Sequence, residues 1–490
     1  MPLMILRCAR QPVRAVLSVL TLFFAATGAS QAAVEISAKP TSNMACSGGV
    51  CKPTAKKAVL NVNDLAQMLA SANVTVKSTS RNQDIKIDAK LEWDSTRLTL
   101  DAYRSIAFNE SIAVSGNGGL TITTSAGGSG GDFQFFKHSH VKFSDIHSNL
   151  TINGNRYALA KTIGQIKRLI HGGHGGEQYI ALAEDNDAAQ YRAGIIQFDT
   201  TVLEGLGNVI SNLTINDNTD QASIGLFAVV ATVRDLGLEN VNVTGTGLNQ
   251  RVGAIAGESY GPIINCYSTG KVSATGEQAG VGGLVGESLG TVANSHSDAS
   301  VSGTSSLWVG GLLGASGAGN QGQWKGAVQH SYSTGTVIVS DGAAVGGLVG
   351  RNLGGAIDNS YAIGAVTGGS NSFGGGLIGE NANSDSSSPT ISTSYSTGAV
   401  SGGSGAMIGG LIGEDLVGNG LTNTYWDLDT SGIGDSSQGA GNIQNDPGIT
   451  GLSDAQLKSG LPQGFDKKVW KEKSDINNGY PYLTDNLPPK

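Results

Sequence analysis

A Gly-rich apolar pentad recurs six times in the central part of the chain, and this repeat constrains the fold more than any other feature. Its copies begin at residues 253, 282, 310, 346, 375 and 409, and read GAIAG, GGLVG, GGLLG, GGLVG, GGLIG and GGLIG. A near-constant spacing of about 30 residues is typical of arrays in which each unit buries its apolar face against its neighbours. The repeats therefore predict a stacked core that grows along one axis.

Each pentad is followed by a second recurring pattern that ends on a ring. It places a polar residue, a small residue and the ring in sequence, at Asn265-Cys266-Tyr267, Asn294-Ser295-His296, His330-Ser331-Tyr332, Asn359-Ser360-Tyr361, Thr393-Ser394-Tyr395 and Asn423-Thr424-Tyr425. Five copies continue to a valine, such as Val272 or Val301. Three short β-prone runs per unit, separated by Gly, Ser and Asn, predict three strands in each turn of a coil. Stacking coils at about 4.8 Å would place like residues above like. The predicted fold is an all-β parallel solenoid.

The motif GGLVG…N-C/S-Y-x-T-G-x-V resembles the GLUG repeat of filamentous-haemagglutinin-like proteins that bacteria export. The resemblance extends over roughly residues 84–485 and implies a right-handed parallel β-helix with short helical caps. It also implies an adhesin-type protein, although GLUG repeats accompany enzyme domains as well. The NPNL and NPNG motifs of a two-partner-secretion domain are absent from the chain, which leaves the export route open.

The pattern along the chain predicts six segments. Residues 1–32 have the basic, apolar and small-residue regions of a signal peptide, and 33–58, containing CSGGVC, are predicted to be a flexible arm. Residues 59–83 are predicted to cap the N-terminus with a helix over 63–70, for which Asn63 is the expected N-cap. The coils should occupy 84–251, the GLUG-type repeats 252–430, and a loop with a C-terminal cap 431–490. In that cap, Ser453 and Gln456 form a capping-box pattern.

Charge and cysteine content limit the partners and the compartment. The net charge of −8 and the pI near 5.4 argue against nucleic acid or an anionic membrane surface as a partner. The apolar run of the signal is too short to span a membrane, so we expect a secreted or cell-surface protein, or a periplasmic one if no outer-membrane exporter serves it. In an oxidising compartment, Cys46 and Cys51 are expected to form a disulfide rather than a metal pair, and Cys266 a buried free thiol.

The residues that directly follow the pentads form the column with the best candidates for ligand binding or catalysis. Four of its members are acidic, Glu258, Glu287, Glu380 and Glu414, and carboxylates on adjacent coils would lie about 5 Å apart. We expect these side chains to be solvated at the corners of the coils. The alternatives are a cation site, or a carboxylate pair at the separation of a retaining glycosidase.

Other local signals are weaker. GGSGGDF (127–133) is near a Ca²⁺-binding nonapeptide but occurs once, so a surface turn is favoured. His171 and His174 lack an evident third metal ligand, and the remaining acidic group, Glu184, Asp185 and Asp187, is predicted to be solvated. No catalytic motif is recognisable, so neither an enzyme nor a cofactor is expected.

These features together predict an adhesin-like protein that binds host or neighbouring-cell glycans or a surface protein through a repetitive face. A polysaccharide-active enzyme would instead need acidic and basic residues in one cleft. A structural matrix or spacer protein would have no saturable ligand.

Overall fold

A computed structural model describes residues 33–128, 130–172, 178–195, 201–304, 307–317, 325–385 and 387–488. The predicted signal peptide, 1–32, lies outside the described residues. The chain is mostly β, with sheets in which parallel pairing dominates and with a few short helices. The all-β prediction is confirmed at this level.

The repeat region pairs each strand with its equivalent one repeat further along the chain. A pentad ladder contains Ser223–Ile224, Arg251–Val252, Gly280–Gly282, Trp308–Gly310, Ala344–Gly346, Phe373–Gly375 and Met407–Gly409. A glutamate ladder contains Phe227–Val230, Ala256–Ser259, Val285–Ser288, Leu313–Ser316, Val349–Leu353, Ile378–Ala382 and Ile412–Asp415. All pairings in both ladders are parallel.

The remaining strands of each repeat belong to a third sheet. Its first part, the turn ladder, contains Thr232–Arg234, Ile263–Ile264, Thr291–Ala293, Ala327–Gln329, Ala356–Asp358, Thr390–Ser396 and Leu421–Asp427. Its second part, the valine ladder, contains Thr214–Asp217, Gly237–Gly245, Tyr267–Ala274, Ser300–Gly303, Val337–Val339, Val366–Thr367 and Val400–Ser401. Short ring strands lie between the two at His296–Ser297, Tyr332–Ser333 and Tyr361–Ala362, and Ile449–Leu452 extends the sheet beyond Leu421–Asp427. The chain visits the ladders in the same order in every repeat.

Glycine and asparagine recur at fixed positions of the repeat for different structural reasons. A Cβ added to Gly346 would lie 2.0 Å from the carbonyl oxygen of Val349, so only glycine fits where the pentad turns from one ladder to the next. Asn359 has φ 47°, in the left-handed region that asparagine tolerates better than most side chains. The equivalent residues in the other repeats also have positive φ. The asparagine column therefore marks a turn conformation.

The N-terminal part of the chain forms a first stack in which most strands pair in parallel. One sheet contains Ala33–Ser37, Ala58–Asn61, Asp84–Ile87, Ile106–Phe108 and Phe133–Phe135; a second contains Leu91–Trp93, Ile112–Val114 and Val141–Phe143; a third contains Met44–Ser47, Val50–Pro53, Val74–Lys77, Arg97–Asp101, Gly119–Thr123 and Asn149–Ile152. The prediction of a flexible arm over 33–58 is wrong, because Ala33–Ser37 pairs with two neighbouring strands and buries Val34 and Ile36.

Helix α1 (Val62–Leu69) packs against the strands Ala58–Asn61, Val74–Lys77 and Leu91–Trp93 of this stack and buries Val62, Leu65 and Leu69. The helix begins earlier than predicted. Asn61, rather than Asn63, is its N-cap and accepts hydrogen bonds from the backbone of Asn63 and Asp64. The predicted helix is thus present with its boundary corrected, and its role as a cap stays a prediction.

A hairpin interrupts the predicted continuous run of coils over 84–251. Asn149–Ile152 pairs antiparallel with Asn155–Ala160, and helix α2 (Ile163–Gly172) follows, burying Ile163, Ile166 and Ile170 at helical spacing. The chain then enters the second stack through Gln178–Leu182, Asn186–Asp187, Thr201–Glu204 and Val209–Ser211. Two apolar cores result, one centred on each stack, and Ala181, Ala183 and Leu206 of the second stack pack into the first core.

The C-terminal residues pack across the side of the repeats. Helix α3 (Asp454–Leu457) begins at the capping box predicted for Ser453 and Gln456. Trp470–Lys471 pairs antiparallel with Tyr482–Leu483 around the short 3₁₀ helix Asn477–Gly479. This segment forms an aromatic cluster of its own with the ring column of the repeats.

Candidate functional site

The glutamate column is neutralised by arginines of the chain itself. Glu258 and Glu287 are direct neighbours in the parallel register. Arg251 lies between them: its Nε is 3.2 Å from Glu258 Oε1 and also pairs with Glu287. Glu287 is buried, so the expectation that these carboxylates are solvated is wrong for this pair. The guanidinium of Arg251, from the pentad ladder, thus supplies the positive charge that these two carboxylates need.

In the second half of the glutamate column, one of the two glutamates is also paired with an arginine of the chain. Arg351 stands one rung before Glu380, and the two form an ion pair of 3.0 Å. Arg351 also lies over the ring of Trp308, 5.5 Å from its centroid. Glu414 is the next residue in register, and burial together with the charge of Glu380 raises its pKa. The column is therefore a series of partly compensated charges.

The ring column is a continuous stack. Consecutive centroids from Tyr267 through His296, Tyr332 and Tyr361 to Tyr395 are 4.6–5.2 Å apart, with interplanar angles of 12° or less. Because the rings stack face to face, they cover one another's faces, and the row could offer a ligand only the ring edges. The rings of Tyr332, Tyr361 and Tyr395 are moreover fully buried.

The C-terminal segment is what covers the ring column. The Trp470 indole packs against Tyr361 and Tyr395 and donates a 2.8 Å hydrogen bond to Asn359. Further along, Tyr395 and Tyr332 donate to the carbonyls of Pro481 and Leu487. Asn486 donates to the backbone carbonyls of Ser295 and His330 and contacts His296, and Gln134 of the N-terminal stack donates to the carbonyl of Asp485. The column stabilises the fold instead of presenting a binding platform.

A buried charge cluster lies where the two stacks meet. Arg234, at the end of a turn-ladder strand, forms ion pairs with Asp132, Glu204 and Asp235 at 2.8, 3.5 and 3.4 Å. Its guanidinium also lies over the ring of Phe133, 4.8 Å from the centroid. Phe133 begins the edge strand of the N-terminal stack and Asp132 directly precedes it, so this cluster joins the stacks electrostatically.

Three carboxylates around one guanidinium leave excess negative charge in a dry environment. Burial, with the neighbouring Asp235, raises the pKa of Glu204 well above its usual range. Burial raises the pKa of Asp235 to about 6. The group contains the acidic and basic residues that a polysaccharide-active site would use, but Glu204 is inaccessible to solvent. The cluster is not evident in the sequence because Arg234 lies ahead of the repeats, whereas Asp132 falls in the stretch predicted to be a surface turn.

Other predicted residues have ordinary structural partners. Glu184 forms ion pairs with Lys142 and Lys161, so it is not simply solvated. Asp185 accepts a hydrogen bond from the backbone of Val209, and Asp187 accepts from Ala189 and Asn212. His171 contacts the Lys167 carbonyl through Nδ1, while His174 lies outside the described residues. In the part of the chain that the structure describes, no group of three or more His, Cys, Asp or Glu residues is arranged to hold a metal ion.

Two of the cysteines form a disulfide and a third is a buried thiol. Cys46 and Cys51 are paired as a disulfide across the hairpin between Met44–Ser47 and Val50–Pro53. Cys266 is a buried free thiol, as predicted, and burial raises its pKa. Its backbone N–H donates to Ser295 Oγ, as equivalent residues do in later repeats. This hydrogen bond explains why the column otherwise contains hydroxyl residues.

The valine ladder presents a repetitive polar surface. Its valines point inward, and alternation directs the intervening residues outward. A central outward column follows the parallel register through Thr244, Ser273, Ser302, Ile338, Thr367 and Ser401. Hydroxyls interact between rungs, for example Thr244 Oγ1 with Ser273 Oγ at 3.1 Å. We call this column the hydroxyl face; four of its six members are exposed and the other two half-buried.

Comparisons with known proteins identify the repeat. Residues 341–367, one of the six copies, match the GLUG motif. Over 159 residues, or 32% of this chain, the sequence is 32% identical to Halomucin of Haloquadratum walsbyi, but the match covers only 2% of that protein. A putative immunoglobulin A1 protease from Bacteroides ovatus is a structural neighbour with a TM-score of 0.43 and 19% identity, covering 68% of this chain and 93% of that one. In the described part of the chain, no helix has the length and apolar character needed to cross a membrane.

Proposed function

We propose that this protein is an exported, adhesin-like repeat protein of the filamentous-haemagglutinin-like type, built as a right-handed parallel β-helix. Connections between parallel strands of one sheet are right-handed in about 98% of cases, which favours this hand for the repeats. The GLUG motif and the similarity to Halomucin support an extracellular location, either secreted or at the cell surface. A dedicated outer-membrane exporter would be needed to reach it; without one the protein would be periplasmic.

The hydroxyl face is the observation that carries the functional proposal. It offers similar small polar groups on successive rungs, about 4.8 Å apart, on a surface that the C-terminal segment leaves open. Each hydroxyl contributes a weak hydrogen bond that competes with water, so binding to cell-surface glycans or proteins should be weak per molecule and strengthened by multivalency. Neither nucleic acid nor membrane insertion is part of this proposal.

A substitution that the chain already contains in one repeat provides the test. Ile338 occupies the hydroxyl face without disturbing its ladder, so isoleucine should be tolerated at Ser273, Ser302 and Thr367. The triple replacement of these three residues by isoleucine should keep the fold and reduce binding to extracellular glycans or cell surfaces several-fold. Ile338→Ser is the matched control and should bind at least as well as the parent. Unchanged binding by the triple variant would rule out this face.

The rival proposal is a polysaccharide-active enzyme, and the charge cluster at Arg234 is the observation that favours it. A carboxylic acid with a raised pKa can serve as a general acid. Burial of Glu204 argues against that role, and we propose that the cluster is structural and the protein is not an enzyme. Polysaccharide turnover by the purified protein that is abolished by Glu204→Gln, with the fold retained, would favour the enzyme. A matrix or spacer role would instead follow if no saturable ligand is found.

A further inference from the structure

A buried polar column runs beside the glutamate column on the same strands. Because side chains alternate across a strand, the residue after each member of the glutamate column points inward. These residues, buried in every case, are Ser259, Ser288, Ser316, Asn352, Asn381 and Asp415. At its C-terminal end the column becomes a directed series of hydrogen bonds. Asn352 Nδ2 donates to Asn381 Oδ1, and Asn381 Nδ2 donates to Asp415 Oδ1, both at 3.1 Å.

The column ends at two carboxyl groups with unused oxygens. Asp415 Oδ1 also accepts from the backbone of Val417, but Asp415 Oδ2 has no hydrogen-bond donor among the described residues. Neither carboxylate oxygen of Asp446, a residue that is only 2% exposed, accepts a hydrogen bond from an amide or hydroxyl group of the described residues. The Asp446 carboxyl instead lies within hydrogen-bonding reach of the Asp415 carboxyl. Burial and the adjoining Asp415 raise the pKa of Asp446 to about 7. Two adjacent buried carboxylates cannot both be ionised at low cost unless a positive charge joins them.

We propose that Asp415 and Asp446 bind a divalent cation of the Ca²⁺ type. Ca²⁺ takes six to eight oxygen ligands, from carboxylates, amides, backbone carbonyls and water. Three carboxylate oxygens that accept no hydrogen bond from an amide or hydroxyl group, Asp415 Oδ2 and both oxygens of Asp446, supply the anionic part of such a set. Glu258 and Glu287 are neutralised by Arg251. Among the described residues, no arginine or lysine forms an ion pair with Asp415 or Asp446.

The position of the site indicates what the cation does. Asp415 ends the last strand of the glutamate ladder, whereas Asp446 belongs to the segment that follows the repeats. That segment already pairs with the ladder: Ile412 bridges to Ala440 in parallel, and Asn442 exchanges two hydrogen bonds with the Asp415 backbone. A cation between Asp415 and Asp446 would therefore fasten the final rung to the stack.

Calcium titration of the purified protein after removal of metal by EDTA provides the test. We expect saturable calorimetric binding to one site and a rise in melting temperature of about 4 °C at a hundredfold excess over Kd. Asp415→Asn and Asp446→Asn should each abolish both signals. Glu414→Gln is the matched control, because Glu414 lies on the same strand and points to the opposite side, and it should retain both signals.

Each remaining outcome is informative. In the absence of Ca²⁺ at pH 8, Asp446→Asn should be at least as stable as the parent, because the repulsion between the carboxylates is removed. That result would show that lost calcium binding is not caused by misfolding. If the parent shows no calcium response, the pair shares only a proton and the proposal is wrong. A response that persists in Asp446→Asn would place the cation elsewhere and overturn it as well.

Discussion

Replacing Trp470 by alanine should release the C-terminal segment from the ring column while the repeats stay folded. Trp470 is fully buried, and its ring centroid is 4.6 Å from that of Phe465. Truncating a buried tryptophan costs about 3–5 kcal/mol, and the hydrogen bond to Asn359 is lost as well. Because the aromatic cluster is separate from the apolar core of the repeats, the loss should fall on the segment alone.

The expected magnitude can be measured by hydrogen exchange. A loss of 3–5 kcal/mol corresponds to about 10²–10⁴-fold faster exchange for amides protected only by opening of the segment. We therefore expect accelerated exchange over residues 454–488 and unchanged exchange in the valine ladder. Trp308→Ala is the matched control, because Trp308 lies half-buried in the pentad ladder, and it should leave 454–488 protected.

Two results would refute this reasoning. If 454–488 exchange as slowly in Trp470→Ala as in the parent, the segment is held by its backbone and tyrosine contacts without the indole. If the variant unfolds throughout in a single transition, the aromatic cluster and the repeat core form one cooperative unit.

Three further predictions concern stability. In the metal-free protein Asp235 and Asp446 have folded-state pKa values raised to about 6 and about 7, so each of these two groups binds a proton more readily in the native than in the unfolded state. Their contribution to the free energy of unfolding should therefore fall as pH rises from about 4 to 8, by roughly 3 kcal/mol for Asp235 at most. His296 and His330, whose pKa values burial lowers, contribute in the opposite direction. Urea unfolding of the metal-free parent should therefore be compared with that of Asp235→Asn and Asp446→Asn, in which the fall should be smaller. Gly346→Val should prevent stable folding of its repeat, because its Cβ would overlap a backbone oxygen, and circular dichroism should show lost strand signal. Arg251→Met should lower the free energy of unfolding by about 2 kcal/mol, which is less than breaking a fully buried ion pair costs because Arg251 is partly exposed. Adding Glu287→Gln to this variant should restore part of the lost free energy of unfolding.

The repeats were predictable because their periodicity reflects direct physical contact between equivalent residues. The pentad glycines, the inward valines and the ring column each occupy one register position, so the spacing alone identified the ladders. The capping box at Ser453 was also readable, since its two side chains are local in sequence. The asparagine column was recognised without its cause, which is the left-handed turn conformation.

What the sequence could not indicate depends on contacts between distant segments. Nothing local to Trp470 or Asn486 shows that they cover rings more than a hundred residues earlier. The Arg234 cluster likewise combines Asp132 with residues of another stack. The glutamates were correctly placed in register, but their pairing with Arg251 required knowledge of which pentad-ladder residue faces the column. The strands of 33–58 looked like an arm because their partners lie further along the chain.

The central claim is that binding is distributed over repeated rungs of the hydroxyl face. Deleting residues 273–301 joins Val272 to Ser302 and removes one repeat in register, since Val272 and Val301 are direct ladder partners. The most direct measurement compares glycan and cell-surface binding by this variant and the parent, each as a monomer and displayed in many copies. We predict that the displayed parent binds far more tightly than the monomer, and that the deletion weakens binding only in part while the protein remains folded. Complete loss of binding on removing one repeat, or equal affinity for monomer and displayed protein, would indicate one discrete pocket and contradict the claim.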